Sequence, residues 1–218
     1  IKNLNFEVEY FQVGQFKTTE LYQASPFTVI YDSGSDQLVD VDIEFKSISL
    51  TSFQLEAVSI ANAKSYSYKE DVFRNNEKRF NNGSYSYDEW ITGPSYRFKI
   101  IKNDDKYLSS ETKYKFKFID YQTLARYYSG NIDINPKSAG SSAIVISLKG
   151  EIPNKISDYL NAFSDAYVAR TLDSKIRVAN NTLNFINGQL ANFKDTLTAI
   201  EGALEAFRSG TGIVDVST

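Results

Sequence analysis

The apolar positions in the last third of the chain repeat at the spacing of a long helix. From residue 176 to 207, apolar side chains follow one another at intervals of three and four residues: Ile176, Ala179, Leu183, Ile186, Leu190, Phe193, Leu197, Ile200, Leu204 and Phe207. A strand cannot use this spacing, because its faces alternate every two residues. The series predicts a helix of about 47 Å with one continuous apolar stripe, which we call the apolar stripe.

The helical pattern begins well before this stripe. Pro153 suits the first turn of a helix, where its missing N–H costs nothing. A looser apolar face follows it, made of Ile156, Tyr159, Leu160, Phe163 and Tyr167. No Pro or Gly lies between Pro153 and Gly188, so one unbroken helix is open, as is a bend or a break between Tyr167 and Ile176, where the rhythm changes. Ile213–Val216, beyond the helix, is expected to form a short strand or to continue elsewhere.

The apolar stripe could be buried in either of two ways. The stripe could pack inside the chain, on a sheet or on a separate helix over 156–167, or it could pack against other copies of the chain. The flanking positions carry little charge, whereas charged flanks select the partner in a two-stranded zipper. The sequence therefore disfavours a simple two-stranded coil and favours a mixture of intramolecular and oligomeric packing.

Residues 1–150 show the shorter period of strands. Val39, Val41, Ile43 and Phe45 alternate with polar residues, which predicts one strand with a wet face. Asn82-Gly83 is typical of a tight hairpin, and the apolar run 143–148 is typical of a central strand.

Tyr121–Tyr128 is expected to form a short helix. The predicted fold class is α+β. A mostly antiparallel sheet or small sandwich over 1–150 is followed by long helices and a short tail over 151–218, packed together as one unit.

Composition narrows the possible functions. The chain has 218 residues, a net charge of −3, no His and no Cys. Those absences remove the usual general base, the commonest metal ligand and every Ser-His or Cys-His nucleophile pair. The charge gives no basic patch for nucleic acid. No apolar run approaches the length of about 18 residues that a membrane helix needs.

Three side-chain groups are candidates for binding. Asp40, Asp42 and Glu44 could hold Ca²⁺ or act as a glycosidase pair, although a solvated strand face is the simpler interpretation. Tyr66, Tyr68, Tyr85 and Tyr87 with Trp90 could stack on sugar rings, although such aromatics commonly pack within sheets. Lys113, Lys115 and Lys117 indicate a wet strand face, at an edge that lysines protect.

The sequence gives no basis for catalysis. A phosphate-binding Gly-x-x-x-x-Gly-Lys-Ser/Thr loop and a Gly-x-Ser-x-Gly elbow are both absent from the sequence. We therefore assign no catalytic, cofactor-binding or metal-binding residue and expect a protein that is not an enzyme in this chain.

Several short motifs, in this order and at this spacing, resemble one bacterial family. They are Glu20-Leu21-Tyr22, Ser25-Pro26-Phe27, a strand ending near Leu148, Pro153-x-Lys155-x-x-Asp158-Tyr159-Leu160-Asn161-Ala162, Phe185-Ile186-x-x-Gln189-Leu190, Glu201-x-x-Leu204-x-x-Phe207-Arg208 and Gly212-Ile213-Val214-Asp215. The family is that of chain-length determinants, or polysaccharide co-polymerases, many of which are joined to bacterial tyrosine autokinases. Members commonly carry Asn-Pro where this chain has Ile152-Pro153.

The resemblance implies a location and a role. Two membrane helices would flank this segment, which would lie on the periplasmic face of the inner membrane. Several copies would stand side by side as a homo-oligomer, with the polysaccharide polymerase and export machinery as partners and some contact with glycan. The assembly would govern the length or export of capsular polysaccharide or exopolysaccharide, and any kinase domain would lie outside this chain. The alternative is a secreted carbohydrate-binding β module with a helical stalk.

Overall fold

The computed structural model describes residues 2, 4–103, 108, 112–141 and 143–211. Its strands are β1 (Val8–Val13), β2 (Thr18–Glu20), β3 (Phe27–Tyr31), β4 (Gln37–Val39), β5 (Ile43–Ser47), β6 (Ser52–Ala57), β7 (Lys64–Ser67), β8 (Val72–Arg74), β9 (Gly83–Ser86), β10 (Ile91–Gly93), β11 (Tyr96–Lys102), β12 (Lys113–Phe118), β13 (Ile132–Pro136) and β14 (Ile144–Leu148). The helices are α1 (Tyr121–Asn131) and α2 (Pro153–Thr211). The predicted α+β class is confirmed.

The strands form three sheets that are almost wholly antiparallel. The largest has the order β8-β7-β4-β12-β5-β6-β9, with β1 paired to β12 and β2 paired to β1. A second sheet has the order β10-β11-β3, and β13 pairs with β14 in a third. The short pairing of β4 with β12 is parallel.

The core lies between the first two sheets and is largely aromatic. Phe27 of β3 stacks on Phe45 of β5 with ring centroids 4.2 Å apart, and Phe98 of β11 meets Phe116 of β12 edge to face. Offset and edge-to-face pairs are the arrangements that aromatic rings prefer. Alternation along β5 and β12 supplies these inward side chains, because every second residue faces the same side.

The chain divides into two compact units, Ile1–Ala162 and Phe163–Thr218. The first holds all the strands of the described residues, α1 and the first three turns of α2. In the described residues of the second unit, α2 is the only element. The expected segment Ile213–Val216 lies outside the described residues.

Three local predictions are wrong, and one open alternative is decided. Residues 39–45 are not one strand, because Asp40 takes a left-handed backbone conformation (φ 62°) that separates β4 from β5. Asn82-Gly83 is not a hairpin turn; the Asn82 side chain accepts a hydrogen bond from the Ala57 N–H, and β9 pairs with β6. The run 143–148 is not a central strand, because β14 pairs with β13 alone among the described strands. α2 continues without a break between 167 and 176.

Helix α1 forms where the sequence predicted it. The Asp120 carboxylate caps its first turn by accepting from the Thr123 N–H at 2.8 Å. The Ile132 N–H closes the other end by donating to the Tyr128 carbonyl. α1 therefore ends directly into β13.

Candidate functional site

The first turns of α2, residues 153–162, are held on the β-sheet by buried charges; we call this segment the helix base. Lys155 Nζ lies 2.8 Å from Glu9 Oε1 and 2.5 Å from Glu20 Oε1. The Lys155 side chain is only 10 % exposed. A buried ammonium is tolerated only when it is paired and hydrogen-bonded, and the two carboxylates of β1 and β2 supply both.

Burial and ion pairing shift the pKa values of Lys155 and Glu20 in opposite directions. Burial alone would lower the pKa of Lys155, but the charge of Glu9 and the hydrogen bonds to both carboxylates outweigh it, and the net pKa is raised. Burial raises the pKa of Glu20, although Lys155 opposes that shift. The ammonium is therefore firmly charged, and its attraction for β1 and β2 fixes the helix base.

A second polar contact lies one helical turn further along. The Tyr22 hydroxyl donates to Asp158 Oδ2 at 2.5 Å, and the Gln23 amide donates to the same oxygen at 3.2 Å. Burial first, and then the bond to Asp158, raise the pKa of Tyr22 to about 12. The hydroxyl therefore keeps its proton and remains a donor well above neutral pH.

Aromatic rings fill the space beneath these polar contacts. Tyr159 stacks on Tyr128 of α1 with centroids 4.1 Å apart and an interplanar angle of 12°. Phe6 contacts both Tyr128 and Tyr22, with ring centroids 5.6 Å and 5.8 Å away. Lys155 Nζ lies 5.4 Å from the centre of the Phe6 ring. The helix base is thus packed as well as paired.

The residues that meet here belong to two distant stretches of the sequence that carry the resemblance. Glu20 and Tyr22 come from the first, and Lys155, Asp158 and Tyr159 from the later one; Glu20 and Lys155 are 135 positions apart. The sequence alone assigned no contact between these stretches. It gave no sign of Glu9 as a partner beyond the alternation of apolar and polar residues along β1.

The described part of the second unit displays the apolar stripe to solvent. Its large side chains, from Ile176 to Phe207, are between 46 % and 69 % exposed. Because residues 153–211 form a single helix, the alternative of packing on a separate 156–167 helix is wrong.

The predicted acidic group is divided among separate partners. Asp40 pairs with Lys64 at 3.1 Å, and Asp42 pairs with Lys115 at 2.6 Å. Glu44 is exposed on β5. The described residues hold no group of three or more acidic side chains placed to bind a metal ion.

Most side chains of the predicted aromatic group pack in or against the hydrophobic core. Tyr66 and Tyr68 are buried, and the Tyr68 hydroxyl donates to the Ile119 carbonyl at 2.7 Å. Tyr85 and Tyr87 are half-buried against Phe53. Trp90 stays 44 % exposed, with the Arg97 guanidinium 4.9 Å from its ring centre. The structure therefore does not bring the five rings together as a sugar platform.

The predicted lysine edge is wrong, because β12 is an inner strand paired with β1 on one side and with β5 and β4 on the other. Lys115 pairs with Asp42, and Lys117 lies 3.4 Å from Glu9. Both ammonium groups also lie over the Phe11 ring. These lysines neutralise acidic neighbours across the sheet.

A cavity of about 600 Å³ opens between β1 and β3, beside the helix base. Tyr10, Phe27 and Tyr31 are among the rings that line it. Its charged groups already have partners: Glu7 accepts from Tyr121, and Lys155 binds Glu9 and Glu20. The cavity has room for an apolar group, but each charged side chain among its described lining residues already has a hydrogen-bond or ion-pair partner.

Among the described residues, no helix has both the length and the apolar content needed to cross a bilayer.

Comparison with known proteins shows a distant similarity. No protein-family model matches the chain. Over 117 residues, or 54 % of the chain, the sequence is 21 % identical to a Klebsiella pneumoniae protein described as a tyrosine-protein kinase in the cps region. The match covers only 16 % of that protein's length. The chain is therefore distantly similar to a short part of a cps-region tyrosine-protein kinase.

Proposed function

We propose that this chain is the non-catalytic periplasmic scaffold of a polysaccharide co-polymerase, and that it acts in capsule or exopolysaccharide biosynthesis. The apolar stripe of α2 is the single observation that carries the proposal. It is long, unbroken and exposed in the described chain. The distant similarity to a cps-region kinase supports the polysaccharide context.

The proposed mechanism is mechanical. Copies associate through the apolar stripe, where burial of a large side chain contributes about 1.5–3 kcal/mol relative to full exposure. The pairing of Lys155 with Glu9 and Glu20 fixes the helix base on each β unit. Association of the helices is thereby transmitted to the sheets. In the parent protein, membrane segments outside this chain hold the assembly at the periplasmic face of the inner membrane.

Polymerase and export proteins are the proposed partners of this assembly, and contact with the glycan itself is weak and spread over polar surface. The lone exposed Trp90 is the remaining feature in favour of the alternative, a secreted carbohydrate-binding module. Glycan-array binding that is lost on Trp90→Ala would favour that alternative over the scaffold.

The direct test uses the full-length parent protein in its own host. Leu183→Asp with Leu197→Asp places two charges in the apolar stripe, whereas Gly188→Ala changes the opposite face. We expect the double variant to lose crosslinked oligomers and to shift the length distribution or amount of exported polysaccharide. Gly188→Ala should leave both unchanged. Normal polysaccharide in a double variant that no longer forms oligomers would overturn the proposal.

A further inference from the structure

The hairpin β13–β14 has an apolar face and a strand edge that no other described strand pairs with. Its register pairs Ile132 with Leu148, Ile134 with Ile146 and Pro136 with Ile144, which places all six apolar side chains on one face. Ile134 and Ile144 are 48 % and 47 % exposed. An isolated two-stranded hairpin is only marginally stable in water.

One backbone bond shows which groups point outward. The Lys137 N–H donates to the Ala143 carbonyl at 2.9 Å, one step beyond the last strand pair. Hydrogen-bonded and non-bonded pairs alternate along an antiparallel ladder. Ile144, Ile146 and Leu148 therefore turn their N–H and C=O groups away from β13, toward the free edge of β14.

The outer edge of β13 offers fewer backbone donors than the outer edge of β14. The Ile132 N–H is already donated to the Tyr128 carbonyl at the end of α1. Pro136 has no N–H to offer. Of the outward-facing residues of β13, only Ile134 retains an available donor, so β14 provides the open edge of this hairpin.

The composition of β14 suits a central strand. Its sequence, IVISL, has no charge, no Pro and no Gly. Natural edge strands usually carry lysines, prolines or bulges that discourage pairing with another chain. β14 has none of these within its five residues, and it would become a central strand if one more strand lay beside it.

We propose that the free edge of β14 pairs with β14 of a second copy of this chain, antiparallel and centred on Ile146. In this register Ile144 lies opposite the second copy's Leu148, Ile146 lies opposite the second copy's Ile146, and Val145 lies opposite the second copy's Ser147. All the outward backbone groups are then used, because each of the three residues exchanges both bonds with its opposite.

Charge and shape favour a second copy as the occupant. β14 is uncharged, so two copies meet without opposed like charges, which destabilise a cross-strand pair. The apolar faces of the two hairpins join into one four-stranded apolar face. The pairing does not depend on the apolar stripe of α2, so it can fail or hold independently of the proposed function.

The test exploits the absence of Cys from the natural chain. Val145→Cys and Ser147→Cys are made as separate variants and mixed under mild oxidation with copper phenanthroline. Val145 and Ser147 lie on the polar face of the hairpin and form a non-bonded pair in the proposed register, about 4.5 Å apart at Cα. That separation permits a disulfide. We expect the mixture to yield at least about ten times more disulfide-linked dimer than either variant alone, because like positions lie about 7–8 Å apart.

The matched control is a mixture of Asp133→Cys and Asn135→Cys, the equivalent positions on the closed edge of β13, which should give no more dimer than random collision. Equal crosslinking in both mixtures, or in Val145→Cys alone, would overturn the proposed edge or register. No excess dimer from the β14 mixture would overturn the pairing itself. In a Leu190→Asp background the β14 crosslink should persist, which separates this result from association through the apolar stripe.

Discussion

Lys155 Nζ lies 2.8 Å from Glu9 Oε1, and the two residues are 146 positions apart in the sequence. This contact, with that to Glu20, fastens the start of a 59-residue helix to the first strands of the chain. The buried ammonium matters because its removal leaves Glu20 without its ion-pair partner and leaves Glu9 with Lys117 alone, 3.4 Å away.

The first prediction concerns that cation. Lys155→Met should destabilise the fold by about 3–5 kcal/mol, because removing one partner of a buried ion pair strands the other charge. Urea denaturation followed by circular dichroism measures the loss. Lys175→Met, at an exposed position of the same helix, should change stability by less than about 0.5 kcal/mol.

A triple variant separates charge from packing. Adding Glu9→Gln and Glu20→Gln to Lys155→Met should recover most of the lost stability. A loss below about 1 kcal/mol in the single variant would show that the pairing does not fix the helix base.

The second prediction concerns alkaline pH. The pKa of Tyr22 is raised to about 12 by burial and by Asp158, whereas an unfolded Tyr titrates near 10. Between these values the unfolded state binds fewer protons than the folded state, so stability should fall as pH rises from about 10 to 12. The raised pKa of Lys155 acts in the same direction. Denaturation midpoints measured at intervals over this range should decline, and less steeply in Tyr22→Phe; a flat profile contradicts the burial of these groups.

The third prediction concerns close packing at Gly93. A Cβ there would overlap the ring of Tyr96, which is buried. Gly93→Ala should therefore cost about 1–3 kcal/mol through overpacking. Gly130→Ala is the matched control, because its Cβ meets nothing within 4 Å and α1 gains a better helix former. Equal thermal stability of the two variants would argue against this packing.

The fourth prediction concerns the glycine on the outer face of α2. Gly188 lies opposite the apolar stripe, and a Cβ there meets nothing within 4 Å. Gly188→Ala should raise helix stability by up to about 1 kcal/mol without weakening association. Weaker association in this variant would place the interface on the wrong face.

The features that sequence predicted well are those with strong local periodicity. The three-and-four spacing from Ile176 to Phe207 predicted a helix, and the α2 assignment includes all of it. The start at Pro153 and the helix at Tyr121 are also confirmed. The change of rhythm between Tyr167 and Ile176 left a bend or a break open. α2 has no break there, because helix geometry tolerates a change in the apolar face without a change in the backbone.

The features that sequence missed depend on contacts between distant residues or on one unusual backbone angle. Nothing local marks Glu9 as a partner of Lys155, since the pairing depends on how the helix base meets the sheet. Asp40 takes a left-handed backbone conformation that separates β4 from β5. The alternation of apolar and polar residues across it still predicts one strand, because Val39, Val41, Ile43 and Phe45 all remain buried. β14 has the composition of a central strand but lies at the edge of its two-stranded sheet. Periodicity alone cannot distinguish a central strand from an edge strand.

Sedimentation equilibrium of this chain over a wide concentration range tests the central claim most directly. We predict reversible association for the natural sequence, with Leu190→Asp weakening it by at least about ten-fold and Gly188→Ala leaving it intact. A natural chain that sediments as a monomer at every concentration, with Leu190→Asp indistinguishable from it, would contradict association of copies through the apolar stripe.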